Sequence, residues 1–280
     1  MAIKFRSFLI RAVTTVVFLP LFFFVVEYLG PYWFAGLIGV VAILAMLELK
    51  NLVSHAGSAF YVVPSVLLVL AMIGLRVWPV VPFETVLAVG FVLIMLWSLL
   101  ADGRVESALS GAAHTILAAL AMGLSLSAMV ALKLLDIHPD GYPGMGADVV
   151  FTLFMVIWMG DSGAYIFGSL LGRHKLAPTI SPNKSVEGAV FNIIFNVLGA
   201  VIAKSWFFPK LTWMDVLVIG FIVGGVGMLG DLLESLWKRK AAIKDSAGLI
   251  PGHGGLLDRL DSFILSAPLL YAYCRYFMMP

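Results

Sequence analysis

The residues best suited to chemistry lie in the run Gly230-Asp231-Leu232-Leu233-Glu234-Ser235-Leu236-Trp237-Lys238-Arg239. On a helix, Asp231, Glu234, Ser235 and Lys238 fall at i, i+3, i+4 and i+7, which is one face. The apolar stretch before them carries Gly220, Gly224, Gly225, Gly227 and Gly230, and small residues at such spacing let helices approach closely in lipid. An acid costs roughly 2.5–3.5 kcal/mol at mid-bilayer, and less near the interface. A bound cation would offset that cost; a solvated helix end would avoid it.

A second segment follows at Lys244-Asp245, Pro251-Gly252-His253-Gly254-Gly255 and Leu256-Leu257-Asp258-Arg259-Leu260-Asp261-Ser262. Glycines let backbone N–H groups converge on an anion, and a helix starting just beyond adds a positive dipole end suited to phosphate. Asp258 and Asp261, three apart, share a helix face. Hard oxygen donors of this kind suit Mg²⁺, which keeps waters and bridges substrate phosphates. His253, flanked by glycines, has little to pack against and fits a phosphate contact or a proton-handling role. The basic residues Lys238, Arg239, Lys240 and Lys244 fit either phosphate binding or the fixing of membrane topology.

A third group reads Asp161-Ser162-Gly163-Ala164-Tyr165, then Ser181-Pro182-Asn183-Lys184-Ser185-Val186-Glu187-Gly188. Asp161 interrupts an apolar segment, and an intramembrane acid is a functional candidate by default. Ser181, Lys184, Ser185 and Glu187 form a loop ahead of a helix that could hold a nucleotide phosphate or ribose. Ser185 and Gly188 serve equally well as helix-entry residues. Glu27, Glu48 and Glu84 sit near expected helix ends and read as interfacial.

The elements that must position these residues are membrane helices. The chain has 280 residues, 61% hydrophobic and 12% charged, with a mean hydropathy of +1.03. Soluble domains are about 45–50% apolar, so lipid is the expected solvent. The net charge of +2 gives no support to nucleic-acid binding. Cys274 is the single cysteine and has neither a disulfide partner nor metal-ligand spacing. Apolar runs at roughly 10–29, 31–48, 59–75, 83–101, 112–135, 147–170, 188–207, 213–236 and 260–278 predict an all-α integral membrane protein. It would have about nine spans in a single polytopic domain, with residues 1–146 as N-terminal helices and 147–280 carrying the site. The basic N-terminal segment has no cleavage site after it and reads as the start of a retained first span. Of the 18 Lys and Arg residues, five (Arg76, Lys133, Lys204, Lys210 and Arg275) fall on one side of these spans and the other thirteen on the opposite side. The positive side is expected to be cytoplasmic, which places the N-terminus and both long polar stretches there.

The run SLWKRKAAIKDSAGLIPGHGGLLDRLD over residues 235–261 resembles the signature of phosphatidate cytidylyltransferases, also called CDP-diacylglycerol synthases. DSGAY at 161–165 and SPNKSVEG at 181–188 are similar to that family too, although Asn183 stands where members often carry Lys. The specific match covers about a quarter of the chain. It implies that CTP and phosphatidic acid are converted to CDP-diacylglycerol and diphosphate, in phospholipid biosynthesis at a bacterial-type inner (plasma) membrane. It also implies a centre holding Mg²⁺ with K⁺, in which Asp231 and Asp258 are the metal ligands. Lys238, Arg239, Lys244, His253 and Arg259 would assist catalysis. Asp161, Ser181, Lys184, Ser185, Glu187, Glu234, Gly254, Gly255 and Asp261 would bind substrate. The lipid bilayer is the expected environment, and the glycine-rich helix faces allow a homodimer. Two other functions share this setting: a CTP-dependent polyprenol or phytol kinase, and an ion-coupled transporter. A transporter would spread polar residues along several helices, whereas here they collect at one membrane face.

Overall fold

A computed structural model describes residues 19–100, 105–137, 143–243 and 255–279. The helices are α1 (Leu19–Tyr28), α2 (Pro31–His55), α3 (Val62–Val77), α4 (Phe83–Leu100), α5 (Val105–Lys133), α6 (Met145–Leu171), α7 (Val186–Trp206), α8 (Trp213–Leu217), α9 (Gly224–Lys240), α10 (Leu257–Leu260) and α11 (Phe263–Tyr273). Among the described residues, six helical stretches are long and apolar enough to cross a membrane: Pro31–His55, Phe83–Leu100, Ser107–Lys133, Met145–Leu171, Val186–Trp206 and Trp213–Lys240. The expected segment at 59–75 is the 16-residue α3, and the one at 260–278 is the 11-residue α11 running on into a π-helical turn. The expected first span begins in residues outside those described.

Local chemistry sets several of these boundaries. Pro31 opens α2 at a position where its missing N–H costs nothing. Ser185 caps α7 by accepting the Gly188 N–H at 3.1 Å. Thr212 and Asp215 form a reciprocal capping box at the start of α8. Between α8 and α9, Val218–Val223 is a π-helical segment, which turns the face presented by everything after it. One helix departs from its expected length in a way that matters. α2 does not stop near residue 48 but continues to His55, so Glu48 lies inside it and is buried.

The polar stretch at 172–187, expected as a loop, contains a short antiparallel hairpin. β1 (Lys175–Ala177) pairs with β2 (Ser181–Ser185), in the register Lys175 with Ser185 and Ala177 with Ser181. So small a hairpin is marginal by itself. It is tied down where the Arg239 Nε–H donates to the Ile180 carbonyl at 3.0 Å and where the Glu187 carboxylate accepts from the backbone N–H groups of Arg173 and His174.

The chain divides into two compact units. The first comprises Met1–Gly123 and Lys240–Leu260, the second Leu124–Arg239 and Asp261–Pro280. In the second, α6 packs along α7, and both α7 and α11 pack against the π-helical segment that leads into α9. Close backbone approach holds them together: a Cβ on Gly160 or Gly163 would overlap Asn196 or Phe195 of α7, and one on Gly230 would overlap the Asp261 carbonyl. Phe167 stacks on Phe191 with ring centroids 4.1 Å apart, and Phe154 of α6 meets Phe263 of α11 at 4.5 Å. This interlocking brings the C-terminal half of α9 and the start of α11 to the same end of the unit.

Candidate metal and phosphate site

At that end three carboxylates converge. Asp231 and Glu234 project from one face of α9, and Asp261 comes from the turn before α11. Each offers an oxygen, and the three oxygens lie within 4.8 Å of one another. Glu234 is fully buried. Lys238 pairs with it at 2.7 Å, four residues along the helix. Lys184, at the end of β2, reaches Asp231 at 2.7 Å, and the Ser235 hydroxyl donates to Asp231 at 3.4 Å. The Ser262 N–H donates to Asp261 at 2.6 Å.

The electrostatics fit a cation. Asp261 lies in a turn outside the six spanning helices. Burial pushes its carboxyl up to about 7, and the negative charges of Asp231 and Asp161 push it the same way. Two lysines face three acids, with a fourth acid, Asp161, close enough to be felt. A positive ion would remove this excess of like charge, and three carboxylate oxygens are the donor set that a hard cation prefers.

The other expected residues divide into distinct roles. Ser185 and Glu187 hold the entrance of α7: Ser185 caps it, and Glu187 gathers Arg173 and His174, with the His174 ring at 2.7 Å. Ser181 opens β2 beside Ala177. Arg239 binds the hairpin rather than an acid. In the first unit, Asp258 accepts the Gly255 N–H at 2.8 Å, and Arg259 is exposed at the surface of α10. Lys244, His253 and Gly254 lie outside the described residues.

Three features were absent from the sequence reading as candidates. Glu48 accepts hydrogen bonds from Leu256 and Leu257. Its signal was present, since it is an acid inside an apolar run, the same signal that marked Asp161. Asn192 and Asn196 form a buried pair on α7, in which the Asn196 amide donates to Asn192 at 2.8 Å. Asp215 is also buried; its Ser/Thr-x-x-Asp context reads only as a cap.

Comparison with known proteins adds a second line of evidence. The model of the cytidylyltransferase family matches residues 9–277. A relative from Staphylococcus saprophyticus, named phosphatidate cytidylyltransferase, is 45% identical over 125 residues, covering 45% of this chain and 48% of that protein. One of the same name from Synechocystis is 44% identical over 137 residues, covering 49% of this chain and 46% of the relative. Both alignments therefore span about half of the relative's length. A third, from Staphylococcus epidermidis and again of that name, is 30% identical over 235 residues and covers 81% of this chain and 85% of the relative.

Proposed function

This chain belongs to the cytidylyltransferase family, and we propose that it joins CTP to phosphatidic acid, giving CDP-diacylglycerol and diphosphate. The observation that carries the reading is the cluster of Asp231, Glu234 and Asp261 with Lys184 and Lys238 at one end of the α6–α11 bundle. The names of the relatives supply the substrates.

The reaction is a phosphoryl-type transfer. A phosphate oxygen of phosphatidic acid bonds to the α-phosphorus of CTP, the bond from that phosphorus to the β-phosphate bridging oxygen breaks, and diphosphate carries away the electron pair. The attacking oxygen is already anionic, so no strong general base is needed. Catalysis reduces to alignment and charge neutralisation. Asp231, Glu234 and Asp261 would hold Mg²⁺, with K⁺ the candidate for a second ion, and the family signature also assigns Asp258, in the first unit, a part in the metal-dependent transfer. Mg²⁺ would supply neutralisation of the triphosphate charge.

Lys184 and Lys238, each paired with an acid of the cluster, are placed to exchange that carboxylate for a phosphate oxygen. Buried Glu234 keeps the Lys238 ammonium at the cluster by their 2.7 Å pair. The Arg239 contact to Ile180 ties the hairpin that carries Lys184 to the helix that carries Asp231. By the family signature, the glycines of 252–255 and His253 would contact diphosphate or the lipid phosphate. The thirteen basic residues on the site's side of the spans support a cytoplasmic location, where CTP is available, and a lipid substrate entering from the bilayer accounts for the membrane setting.

The test is incubation of purified protein with Mg²⁺, phosphatidic acid and CTP labelled either in cytidine or in the γ-phosphate, followed by lipid extraction. The expected result is cytidine label in the lipid and γ-label in diphosphate. Label passing to lipid only from the γ-position would replace the reading with a kinase.

A further inference from the structure

Glu48 is an acid in the interior of α2, 1% exposed, with apolar neighbours in sequence on both sides. Both of its oxygens are engaged by one distant segment. Oε1 accepts the Leu256 N–H and Oε2 accepts the Leu257 N–H, each at 2.8 Å, across 208 and 209 residues of sequence. Helix α2 and residues 255–260 belong to the same compact unit. One carboxylate taking two consecutive backbone N–H groups is a charge-assisted, directional clamp.

The clamp acts on a turn that ends in Asp258. The N–H immediately before the clamped pair, that of Gly255, donates to Asp258 at 2.8 Å, and the N–H of Arg259 returns to the Leu256 carbonyl at 3.0 Å. Three consecutive N–H groups, at 255, 256 and 257, therefore all end on carboxylates. The Leu257 side chain is fully buried, which leaves the turn little freedom to rotate. An acid inside an apolar helix is expensive unless it is well satisfied. A neutral residue would serve a purely packing role without that cost.

We propose that Glu48 is a positioning residue, which fixes the backbone of residues 255–258 and through it the direction of the Asp258 carboxylate. The inference rests on the proposed function, in which Asp258 takes part in metal-dependent transfer of the cytidylyl group. Outer partners of this kind typically matter by about 10–100-fold in metal affinity or activity.

The test uses the full chain in detergent, comparing wild type with Glu48→Gln and Glu48→Asp. Turnover is normalised to monodisperse folded protein, and kcat, the KM for phosphatidic acid and the Mg²⁺ concentration for half-maximal rate are read separately. Gln presents one acceptor and one donor to two N–H groups, whereas Asp keeps both acceptors on a shorter stem. Glu48→Gln is expected to lower kcat and raise the half-saturating Mg²⁺ by about tenfold or more, with the KM for phosphatidic acid unchanged. Glu48→Asp should lie between it and wild type. A Glu48→Gln protein that loses activity only in proportion to its folded fraction, with Mg²⁺ dependence unchanged, overturns the proposal. Should Glu48→Gln not fold, amide hydrogen exchange on the wild type decides: slow exchange at Leu256 and Leu257 supports the clamp, and exchange as fast as in an unstructured peptide overturns it. A wild-type chain inactive with CTP and phosphatidic acid would instead sink the proposed function, so the two failures are distinguishable.

Discussion

Two buried acidic sites occupy opposite ends of the second unit, and they are built on opposite principles. At the α8 end, Asp215 is held by neutral donors. It accepts the Thr212 N–H at 2.6 Å and the Thr212 hydroxyl at 2.7 Å, while the Tyr273 hydroxyl donates to it at 2.6 Å. These three donors are all supplied by the fold. At the α9 end, Asp231, Glu234 and Asp261 crowd together, with two lysines set against them. That arrangement is strained electrostatically until more positive charge arrives. Burial of an acid is thus common to both ends; convergence of several acids marks only one. A cavity of about 780 Å³ opens beside Asp215, lined also by Lys210, Tyr273 and Phe277. No member of the acidic cluster lines it, so this cavity does not mark the reacting groups.

Substitutions at the two ends should separate these roles. Apart from Asp231, the largest effect is expected for Asp261→Asn, which removes a carboxylate ligand from the cluster: turnover should fall about 100-fold or more, measured as cytidine label entering lipid, with the elution profile in detergent unchanged. Lys238→Met leaves buried Glu234 without its cation, and loss of one partner of a buried pair costs about 3–5 kcal/mol. Denaturant unfolding should show that loss, and added Mg²⁺ should recover part of it; recovery absent at saturating Mg²⁺ would detach Glu234 from the ion. Asp215→Asn should cost about 1–3 kcal/mol of stability, while turnover per folded molecule stays at the wild-type value. A fall in that turnover would erase the distinction between the two ends. The smallest effect is expected for Ser185→Ala, about 1 kcal/mol from the lost cap of α7, read by thermal unfolding, with the KM for CTP unchanged.

Proton competition offers a further contrast. The Asp261 carboxyl is held up to about 7, so below that pH an ion must displace a proton to bind. The Mg²⁺ needed for half-maximal rate should therefore rise as pH falls below about 7 and level off above it. A Mg²⁺ requirement that does not change between pH 6 and 8, on the order of one unit either side of that value, would remove Asp261 from the ion's ligands.

Much of the α9 site was legible in the sequence because helical spacing is a local rule. Asp231, Glu234 and Lys238 at i, i+3 and i+7 share a face whatever surrounds them, and the glycines ahead of them foretold close helix packing. What the sequence could not supply was the partner across the packing. Asp261 read as a neighbour of Asp258 on one helix, yet α10 ends at Leu260 and Asp261 sits in the turn before α11, where Gly230 admits its backbone against α9. The hairpin at 175–185 was hidden because its strands are short and polar, with no alternating apolar face to announce them. Glu48 was misplaced for a different reason. Ending α2 at residue 48 put that acid at the interface, whereas the helix continues through Asn51 to His55 and carries Glu48 into the interior.

The central claim is that the acids at the α9 end, and not buried acids in general, support cytidylyl transfer. The most direct measurement is the rate at which cytidine label from CTP enters phosphatidic acid for Asp231→Asn and Asp215→Asn side by side, at saturating Mg²⁺ and equal folded protein. The account predicts that Asp231→Asn yields no lipid-bound label above background while Asp215→Asn matches wild type. Near-normal labelling by Asp231→Asn would contradict it.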